Sequence, residues 1–324
     1  MFVPILLFTV GLFLLIKGGD VFVDSSVGIA KYFKLPELII GATVVSLGTT
    51  LPEVTVSVIS SFNGHGELSY GNAIGSVICN TALIAAISVI VKPCEIDRKS
   101  LQIPVIFFFI SAIVYSVSAY AFGFFDRNLG CVLLTLFLIY MCVTVKSTLK
   151  EKNSFTLDQR NLRGNEKIIL IKDFIFLVIG AGIITIGSKL VVNNGIKIAE
   201  LLSVPESVVA ITFVALGTSL PELTTAITSL IKGHGRLSLG NIIGANILNL
   251  VLVSGLSMTV SPFSVPENKE LFGINTSLLL DIPLMIIVMA MLTIPSLFKG
   301  KLSRYQGVIL IVLYTIFCMI QFTL

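Results

Sequence analysis

The chain has 324 residues, of which 55% are hydrophobic and only 12% are charged, and its mean hydropathy is +1.00. A soluble domain carries about 25% charged residues, so this composition excludes a soluble globular protein. The formal net charge of +4 excludes no class of function, because in a membrane protein the distribution of Lys and Arg is more informative than their sum.

Long apolar runs, several of them without a charge, predict membrane-spanning segments. The runs are apolar on every side rather than in alternation, which indicates an all-α membrane protein and not a β-barrel. In chain order, ten helices are predicted at residues 2–30, 38–62, 70–91, 101–122, 129–145, 168–199, 206–231, 239–260, 274–297 and 306–323.

An internal repeat runs through these helices at a constant offset of 169 residues. Residues 18–93 recur as 187–262, and the sequence GTTLPE at 48–53 returns as GTSLPE at 217–222. The chain is therefore predicted to consist of two five-helix repeats, residues 1–147 and 168–324, joined by a loop at 148–167. Because five is an odd number, the two repeats should be inverted relative to each other in the membrane.

The charges of the loops agree with this inversion. If the N-terminus lies outside, 18 of the 22 Lys and Arg residues fall on the cytoplasmic side, as the positive-inside rule requires. Corresponding loops also exchange their charges, since Lys31 matches Glu200 whereas Asn63 matches Lys232. We therefore expect a multi-pass protein of the plasma (cell inner) membrane, with its N-terminus outside and the loop at 146–172 in the cytoplasm.

Two glutamates, Glu53 and Glu222, lie near the middle of the second and seventh predicted helices. An ionisable residue at this depth costs several kcal/mol unless it has a partner. No Lys or Arg lies at a comparable depth in the predicted helices, so we expect the partner of the two glutamates to be a bound cation.

The residues around each glutamate offer the oxygen ligands that Ca²⁺ and Na⁺ prefer. Pro52 cannot donate a hydrogen bond to the carbonyl of Gly48, and Pro221 has the same effect on Gly217, so a break is predicted in each helix. Hydroxyl groups and freed backbone carbonyls would then face the cation. These candidate ligands are Thr49, Thr50, Thr218 and Ser219, with the carbonyl groups of Ser46 and Ala215.

Amide side chains of the third and eighth predicted helices could complete this site. Asn72, Ser76 and Asn80 follow one another at a spacing of four residues and share one helix face. Asn80 and its counterpart Asn249 lie deep in their helices and are predicted to line the site. Asn72 and Asn241 lie near helix starts, where capping or packing is an equally good interpretation. Glycines predicted to let these helices approach their neighbours are Gly71, Gly75, Gly240 and Gly244.

The histidines and cysteines are interpreted as structural residues. His65 and His234 each lie between two glycines in a predicted turn, on opposite faces of the membrane, so they cannot form one site. The five cysteines have no spacing typical of a metal site, and packing in apolar runs accounts for most of them.

At these residues the chain resembles a known family. The two copies of G-[ST]-[ST]-L-P-E, each followed by G-N-x-x-G-[SA]-x-x-x-N, are similar to the α-repeats of the Ca²⁺/cation antiporter superfamily, and within it to the compact prokaryotic Na⁺/Ca²⁺ exchangers. The resemblance implies exchange of about three Na⁺ for one Ca²⁺ by alternating access, with ions bound between helices 2, 3, 7 and 8 while helices 1 and 6 slide across them. It also implies that Glu53 and Glu222 hold the ions and that Asn80 and Asn249 line the centre. The other implied ligands are Thr49, Thr50, Ser76, Thr218, Ser219 and the carbonyl groups of Ser46 and Ala215.

Three positions depart from the family pattern. Ala245 replaces a serine that usually contributes a Na⁺ ligand, which bears on one Na⁺ site and on the stoichiometry. Asn249 stands where many prokaryotic relatives have an aspartate. Val77 lacks the amide of its counterpart Asn246.

The charge of the site also favours an exchanger. One Ca²⁺, two Na⁺ or two protons would neutralise two carboxylates, whereas an empty site would leave bare charges in a low-dielectric interior. A Ca²⁺/H⁺ exchanger on the same fold stays open as the alternative, although those relatives usually carry glutamates where Asn80 and Asn249 stand. A cation channel, which would need a continuous pore and whose rate should not depend on a counter-ion inside the vesicle, is less well supported. An intramembrane enzyme is also less well supported, since the metalloprotease motif HExxH is absent. We expect a secondary transporter with Ca²⁺ and Na⁺ as cargo in membrane lipid, without a cofactor, a nucleic acid or an obligate protein partner.

Overall fold

The computed structural model describes residues 2–93, 95–153, 164–201, 217–267, 270–271 and 273–323. Helices account for nearly all of this described part. They are α1 (Phe2–Phe33), α2 (Glu37–Phe62), α3 (Gly66–Val91), α4 (Arg98–Phe122), α5 (Arg127–Asn153), α6 (Gly164–Leu201), α7 (Leu220–Ile231), α8 (Gly235–Val260), α9 (Ser277–Lys299) and α10 (Arg304–Thr323).

Within the described residues, nine of these helices contain a segment long and apolar enough to cross a membrane. The exception is α7, because residues 206–216 of the seventh predicted helix lie outside the described part. The other nine predicted helices are present. However, α5 and α6 extend further than predicted into the polar stretch at 148–167, where Lys and Glu, which are good helix formers, allow a helix to continue beyond its apolar part.

Short strand pairs join the connections between helices into two groups. One antiparallel pair brings the α4–α5 connection beside the α8–α9 connection, and an isolated bridge between Glu95 and Lys301 brings the α3–α4 connection beside the α9–α10 connection. These groupings agree with helices that cross the membrane in alternating directions. The strands, which the sequence did not predict, are β1 (Phe124–Phe125) paired with β2 (Phe263–Ser264), and β3 (Glu270–Leu271) paired with β4 (Ile274–Asn275).

Within the part of the chain that the structure describes, four helices contain a π-helical segment. Its wider turn disrupts the regular hydrogen bonding of the backbone, and such segments are common at functional sites. Two of the segments begin at Asn80 in α3 and at Asn249 in α8, which correspond in the two repeats. The duplicated sequence therefore produces the same local distortion twice. The segments are Gly41–Val45, Asn80–Ala85, Asn249–Val253 and Ser277–Asp281.

The break predicted around each proline occurs in only one repeat. Residues 217–219 form a turn and α7 begins at Leu220, so that Pro221 stands in the first helical turn, where a missing N–H is tolerated. In the first repeat the prediction is wrong, because α2 stays α-helical from Ser46 to Phe62 with Pro52 inside it. There the irregular backbone lies earlier, in the π-helical segment Gly41–Val45.

The buried apolar side chains of the described residues form two clusters. The larger one is contributed mainly by α2–α5 and α8–α10, and the smaller one mainly by α1 and α6. Glycines let α1 and α6 pack closely, since a Cβ added at Gly180 would lie 2.9 Å from the backbone of Phe22, and one at Gly11 would lie 3.0 Å from the carbonyl oxygen of Gly187. Thus α1 and α6 form a packing unit beside the remaining helices.

Candidate ion-binding site

The two predicted glutamates meet inside the bundle. Glu53 on α2 and Glu222 in the first turn of α7 are both completely buried, and their carboxyl groups lie close enough to interact electrostatically. Among the described residues, none supplies a hydrogen bond of standard geometry to any of the four carboxylate oxygens, and no recorded salt bridge involves either glutamate. Two adjacent carboxylates without a protein cation need positive charge from elsewhere.

Two completely buried amides accompany the glutamates. Neither the oxygen nor the nitrogen of Asn80 or Asn249 has a hydrogen-bond partner within the described part of the chain. The π-helical segment that begins at Asn80 packs against α7, and the one that begins at Asn249 packs against α2. Each repeat therefore brings its amide beside the glutamate-bearing helix of the other repeat.

Most of the predicted hydroxyl ligands are buried. Thr50 and Ser219 each have a hydroxyl oxygen without a partner among the described residues, and Ser76 is also buried. Thr218 is only half-buried. The carbonyl oxygen of Ser46 accepts a long hydrogen bond, 3.4 Å, from Oγ1 of Thr49, and Ala215 lies outside the described residues.

The donor set consists of oxygen and amide groups. No group of three or more His, Cys, Asp and Glu side chains that could hold a metal ion occurs in the part of the chain that the structure describes. Two carboxylates together with hydroxyl, amide and carbonyl oxygens would suit a hard cation such as Ca²⁺ or Na⁺ rather than a transition metal.

Asn241 makes a contact that sequence reasoning left open. Its Oδ1 accepts a 3.1 Å hydrogen bond from Oγ1 of Thr49, so this buried amide bridges α8 and α2. Its counterpart Asn72 stays within the first repeat and donates to the hydroxyl of Ser57 at 2.8 Å and to the carbonyl of Glu53 at 3.2 Å. The sequence contains a sign that the two asparagines have different partners, because Ser57, which accepts from Asn72, corresponds to Ala226 in the second repeat.

A second bridge between the repeats was not predicted. Asn246 on α8 donates a 2.7 Å hydrogen bond to Oγ1 of Thr81 on α3, and both side chains are completely buried. The corresponding residues Val77 and Leu250 are apolar. This pair of positions is therefore polar where α8 supplies the amide, and apolar at the corresponding positions of the other repeat.

Glycines set the close approach of α2 and α8, as predicted for Gly240 and Gly244. A Cβ added at Gly240 would overlap the carbonyl oxygen of Leu38, and one at Gly244 would lie 2.5 Å from Oγ of Ser46. This approach holds α8 directly against the first part of α2, the helix that carries Glu53. The segment that would pack in the same way on Gly71 and Gly75 lies outside the described residues.

The histidine interpretation agrees with the structure. His234 precedes α8, and its Nδ1 lies 2.8 Å from Oε1 of Glu37 at the start of α2. His65 occupies the equivalent position before α3. Both histidines stand at helix ends, away from the buried carboxylates.

The chain is similar over nearly its whole length to known proteins. The family model described as sodium/calcium exchanger protein matches residues 3–146 and 172–323. A membrane protein of Methanocaldococcus jannaschii is 34% identical over 316 residues, with 95% of each chain covered. The sodium/calcium exchanger MaX1 of Methanosarcina acetivorans is 31% identical over 353 residues, with 99% of each chain covered.

Solved structures support the same relationship. A structure of the sodium-calcium exchanger NCX_Mj soaked with Na⁺ and Sr²⁺ matches with a TM-score of 0.80 at 30% sequence identity, and 97% of each chain is covered. Another, soaked with Na⁺ and Ca²⁺, matches with a TM-score of 0.77 at 29% identity, with 97% of each chain covered. The predicted fold class, an all-α membrane protein of ten helices in two inverted five-helix repeats, is confirmed by this similarity.

Proposed function

Because this chain belongs to the sodium/calcium exchanger family, we propose that it exchanges Na⁺ for Ca²⁺ by alternating access through the site that contains Glu53 and Glu222. As a member of this family it is a multi-pass membrane protein that exchanges cations for Ca²⁺, and it is a transporter rather than an enzyme. The observation that carries the proposal is the pair of completely buried carboxyl groups without a protein cation beside them.

Charge balance gives the physical reason for exchange. One Ca²⁺ or two Na⁺ neutralise both carboxylates, so the loaded site can move through a low-dielectric interior. The empty site would carry two uncompensated charges, and its conformational change would be costly. The protein should therefore change state only when loaded, and this condition couples the two ions.

The proposed ion shell uses atoms from both repeats. The carboxylates of Glu53 and Glu222 bind Ca²⁺ and share the Na⁺ ions, and the amides of Asn80 and Asn249 line the centre. Ca²⁺ takes six to eight oxygen ligands, so hydroxyl and carbonyl groups complete its shell. These further ligands are Thr49, Thr50, Ser76, Thr218, Ser219 and the carbonyl groups of Ser46 and Ala215.

We further propose an exchange ratio of about three Na⁺ per Ca²⁺, which would move one net charge in each cycle. Ser76 would contribute to one Na⁺ site, whereas its counterpart Ala245 has no hydroxyl to offer. A Na⁺ site next to Ala245 should therefore be the weaker one. Measuring the membrane voltage at which exchange reverses gives the charge moved per Ca²⁺ and tests this ratio.

The proposed movement is a displacement of α1 and α6 relative to the other helices. The smaller apolar cluster, to which α1 and α6 contribute most of the residues, supports a unit in which these two helices move together. We assign residues 1–147 and 168–324 to the two repeats and the plasma (cell inner) membrane as the location. The distribution of Lys and Arg supports an external N-terminus and a cytoplasmic connection between α5 and α6.

Ca²⁺ uptake into proteoliposomes tests the proposed function. An outward Na⁺ gradient should drive Ca²⁺ uptake, and the uptake should carry charge. A pH gradient of matched driving force, imposed without Na⁺, should drive little uptake, because Asn80 and Asn249 cannot exchange protons as carboxylates would. Uptake that follows the pH gradient and ignores Na⁺ would instead identify a Ca²⁺/H⁺ exchanger.

A further inference from the structure

A salt bridge ties α1 to the end of α7. The ammonium group of Lys232, the residue that follows α7, lies 2.8 Å from Oδ1 of Asp24 and 3.2 Å from Oδ1 of Asp20. It also donates a 3.1 Å hydrogen bond to the carbonyl oxygen of Asp20. Asp20 and Asp24 are four residues apart and share one face of α1. The two helices are in close contact beside this salt bridge, since a Cβ added at Gly19 would lie 2.7 Å from Oγ1 of Thr228.

The other repeat has no equivalent of this salt bridge. At the corresponding positions stand one cation and two neutral amides, which cannot form a salt bridge in any conformation. The matched residues are Lys232 with Asn63, Asp20 with Lys189, and Asp24 with Asn193.

Lys232 is a charged partner at neutral pH. Partial burial acts to lower its pKa, but hydrogen bonds and charge interactions with Asp24 and Asp20 outweigh this effect, so the pKa of Lys232 is raised above its ordinary value. Its side chain is 24% exposed, and those of Asp20 and Asp24 are 41% and 68% exposed. Water therefore weakens the attraction without removing it.

A contact present in only one repeat makes the two faces of the protein inequivalent. With inverted repeats, the two repeats exchange roles between the two states. A contact made by the first repeat in the state open to one side is made by the corresponding residues of the second repeat in the state open to the other side. Contacts that both repeats make stabilise the two states alike. A salt bridge that only one repeat can make stabilises one state over the other.

We propose that the salt bridge of Lys232 with Asp20 and Asp24 is a one-sided latch. It holds α1 against α7 on the face of the protein that carries the α1–α2 and α7–α8 connections. It thereby gives the two faces different apparent ion affinities. The latch rests on the proposed function, because it requires α1 to move relative to α7 during exchange. By the charge distribution this face is the cytoplasmic one, so the latch favours the state open to the outside. Lys232 is a positioning residue and does not contact the ions.

The variant Lys232→Asn tests the latch by installing the residue of the other repeat. In inside-out and right-side-out membrane vesicles, the variant should have a lower KM for Ca²⁺ at the cytoplasmic face and a higher KM at the external face. We expect the ratio of the two values to change by about 1.5- to fivefold, the range for partly exposed salt bridges. The reason is a shift of population toward the state open to the cytoplasm. Lys232→Arg keeps the charge and should keep the wild-type ratio.

Two further variants serve as matched tests. Asn63→Asp introduces an acid at the position that corresponds to Lys232, where it can pair with Lys189 once the external side closes. That pair would stabilise the state open to the cytoplasm, so the variant should shift the KM ratio in the same direction as Lys232→Asn. Lys92→Asn removes one positive charge from the face that carries Lys232. It breaks none of the salt bridges recorded among the described residues, and it should leave the ratio unchanged.

Hydrogen exchange of α1 in the ion-free protein gives a readout that does not need transport. Faster exchange around residues 20–24 in Lys232→Asn than in wild type supports the latch. The latch is overturned if Lys232→Asn leaves both the KM ratio and the hydrogen-exchange rate unchanged, or changes KM by the same factor on both faces. It is also overturned if Lys92→Asn shifts the KM ratio as Lys232→Asn does. Suppose that hydrogen exchange around residues 20–24 is faster in Lys232→Asn, but the wild-type protein does not couple Na⁺ to Ca²⁺. That result contradicts the proposed function and not the latch.

Discussion

Asn241 on α8 receives at its Oδ1 a 3.1 Å hydrogen bond from Oγ1 of Thr49 on α2, whereas its counterpart Asn72 bonds within its own repeat. The same hydroxyl lies farther, 3.4 Å, from the carbonyl oxygen of Ser46, so its shorter hydrogen bond runs to the second repeat. Thr49 precedes Glu53 by one helical turn, so this hydrogen bond orients a proposed ligand next to the carboxylate. The orientation of one proposed ligand of the first repeat thus depends on a residue of the second.

Asn241→Ala should weaken the apparent affinity for Ca²⁺ by about fivefold or more, because it removes a buried hydrogen bond worth about 1–3 kcal/mol when one partner is left unsatisfied. The measurement is Na⁺-driven ⁴⁵Ca²⁺ uptake as a function of Ca²⁺ concentration. Asn72→Ala serves as the comparison, since it removes contacts within one repeat and should lower thermal stability more than affinity. Equal losses of affinity in the two variants would contradict the role assigned to Asn241.

Glu53→Gln and Glu222→Gln should each reduce Ca²⁺ exchange by roughly a hundredfold or more, since an unmatched buried charge costs about 3–5 kcal/mol. Each variant leaves a divalent cation facing a single carboxylate. Uptake of ⁴⁵Ca²⁺ into proteoliposomes measures the loss, with Glu95→Gln, an exposed acid in the α3–α4 connection, as the control that should transport normally. Near-normal exchange in either glutamate variant would remove that residue from the site.

Ala245→Ser should lower the Na⁺ concentration for half-maximal exchange by up to about fivefold, the effect of one additional neutral ligand worth about 1 kcal/mol. The physical reason is that Ala245 is completely buried on α8 at the position equivalent to Ser76. The matched variant Ser76→Ala should move the Na⁺ titration in the opposite direction. An unchanged titration in Ala245→Ser would show that position 245 does not face a Na⁺ site.

The hydrogen bond between Asn246 and Thr81 should show strong coupling in a double-mutant cycle. Asn246→Val and Thr81→Leu each leave a buried polar group without its partner and should destabilise the protein by about 1–2 kcal/mol. The double variant reproduces the apolar pair Val77 and Leu250 and should lose less than the sum of the single variants. Thermal unfolding in detergent measures the three values, and simple additivity would argue against the contact.

Gly240→Ala should destabilise the protein by about 1–3 kcal/mol through overpacking, because the added Cβ would overlap the carbonyl oxygen of Leu38, a backbone atom that cannot rotate away. Gly182→Ala on α6 is the matched control, since no described atom lies within 4 Å of its added Cβ. That control should be neutral or stabilising by up to about 1 kcal/mol, the gain in helix propensity. Melting temperatures of the purified variants distinguish the two outcomes, and equal values would contradict close packing of α2 on α8.

Local properties of the chain were sufficient to predict the helices, the repeats and the buried pair of glutamates. Hydropathy identifies a membrane helix because the bilayer imposes the same requirement on every residue of a span. The offset of 169 residues identified which positions correspond, and so it paired Glu53 with Glu222 and Asn80 with Asn249. The same local reasoning failed at Pro52, where the helix continues and the irregular backbone lies upstream at Gly41–Val45.

Only the tertiary structure decided which residues touch across the repeats. A sequence offset shows which residues correspond in the two repeats. Contacts between the repeats form between residues that do not correspond, and the offset does not identify those pairs. Thr49 therefore meets Asn241, Thr81 meets Asn246, and Asp20 and Asp24 meet Lys232. These contacts depend on how the helices pack at their glycines, which is a property of the assembled bundle and not of any single helix.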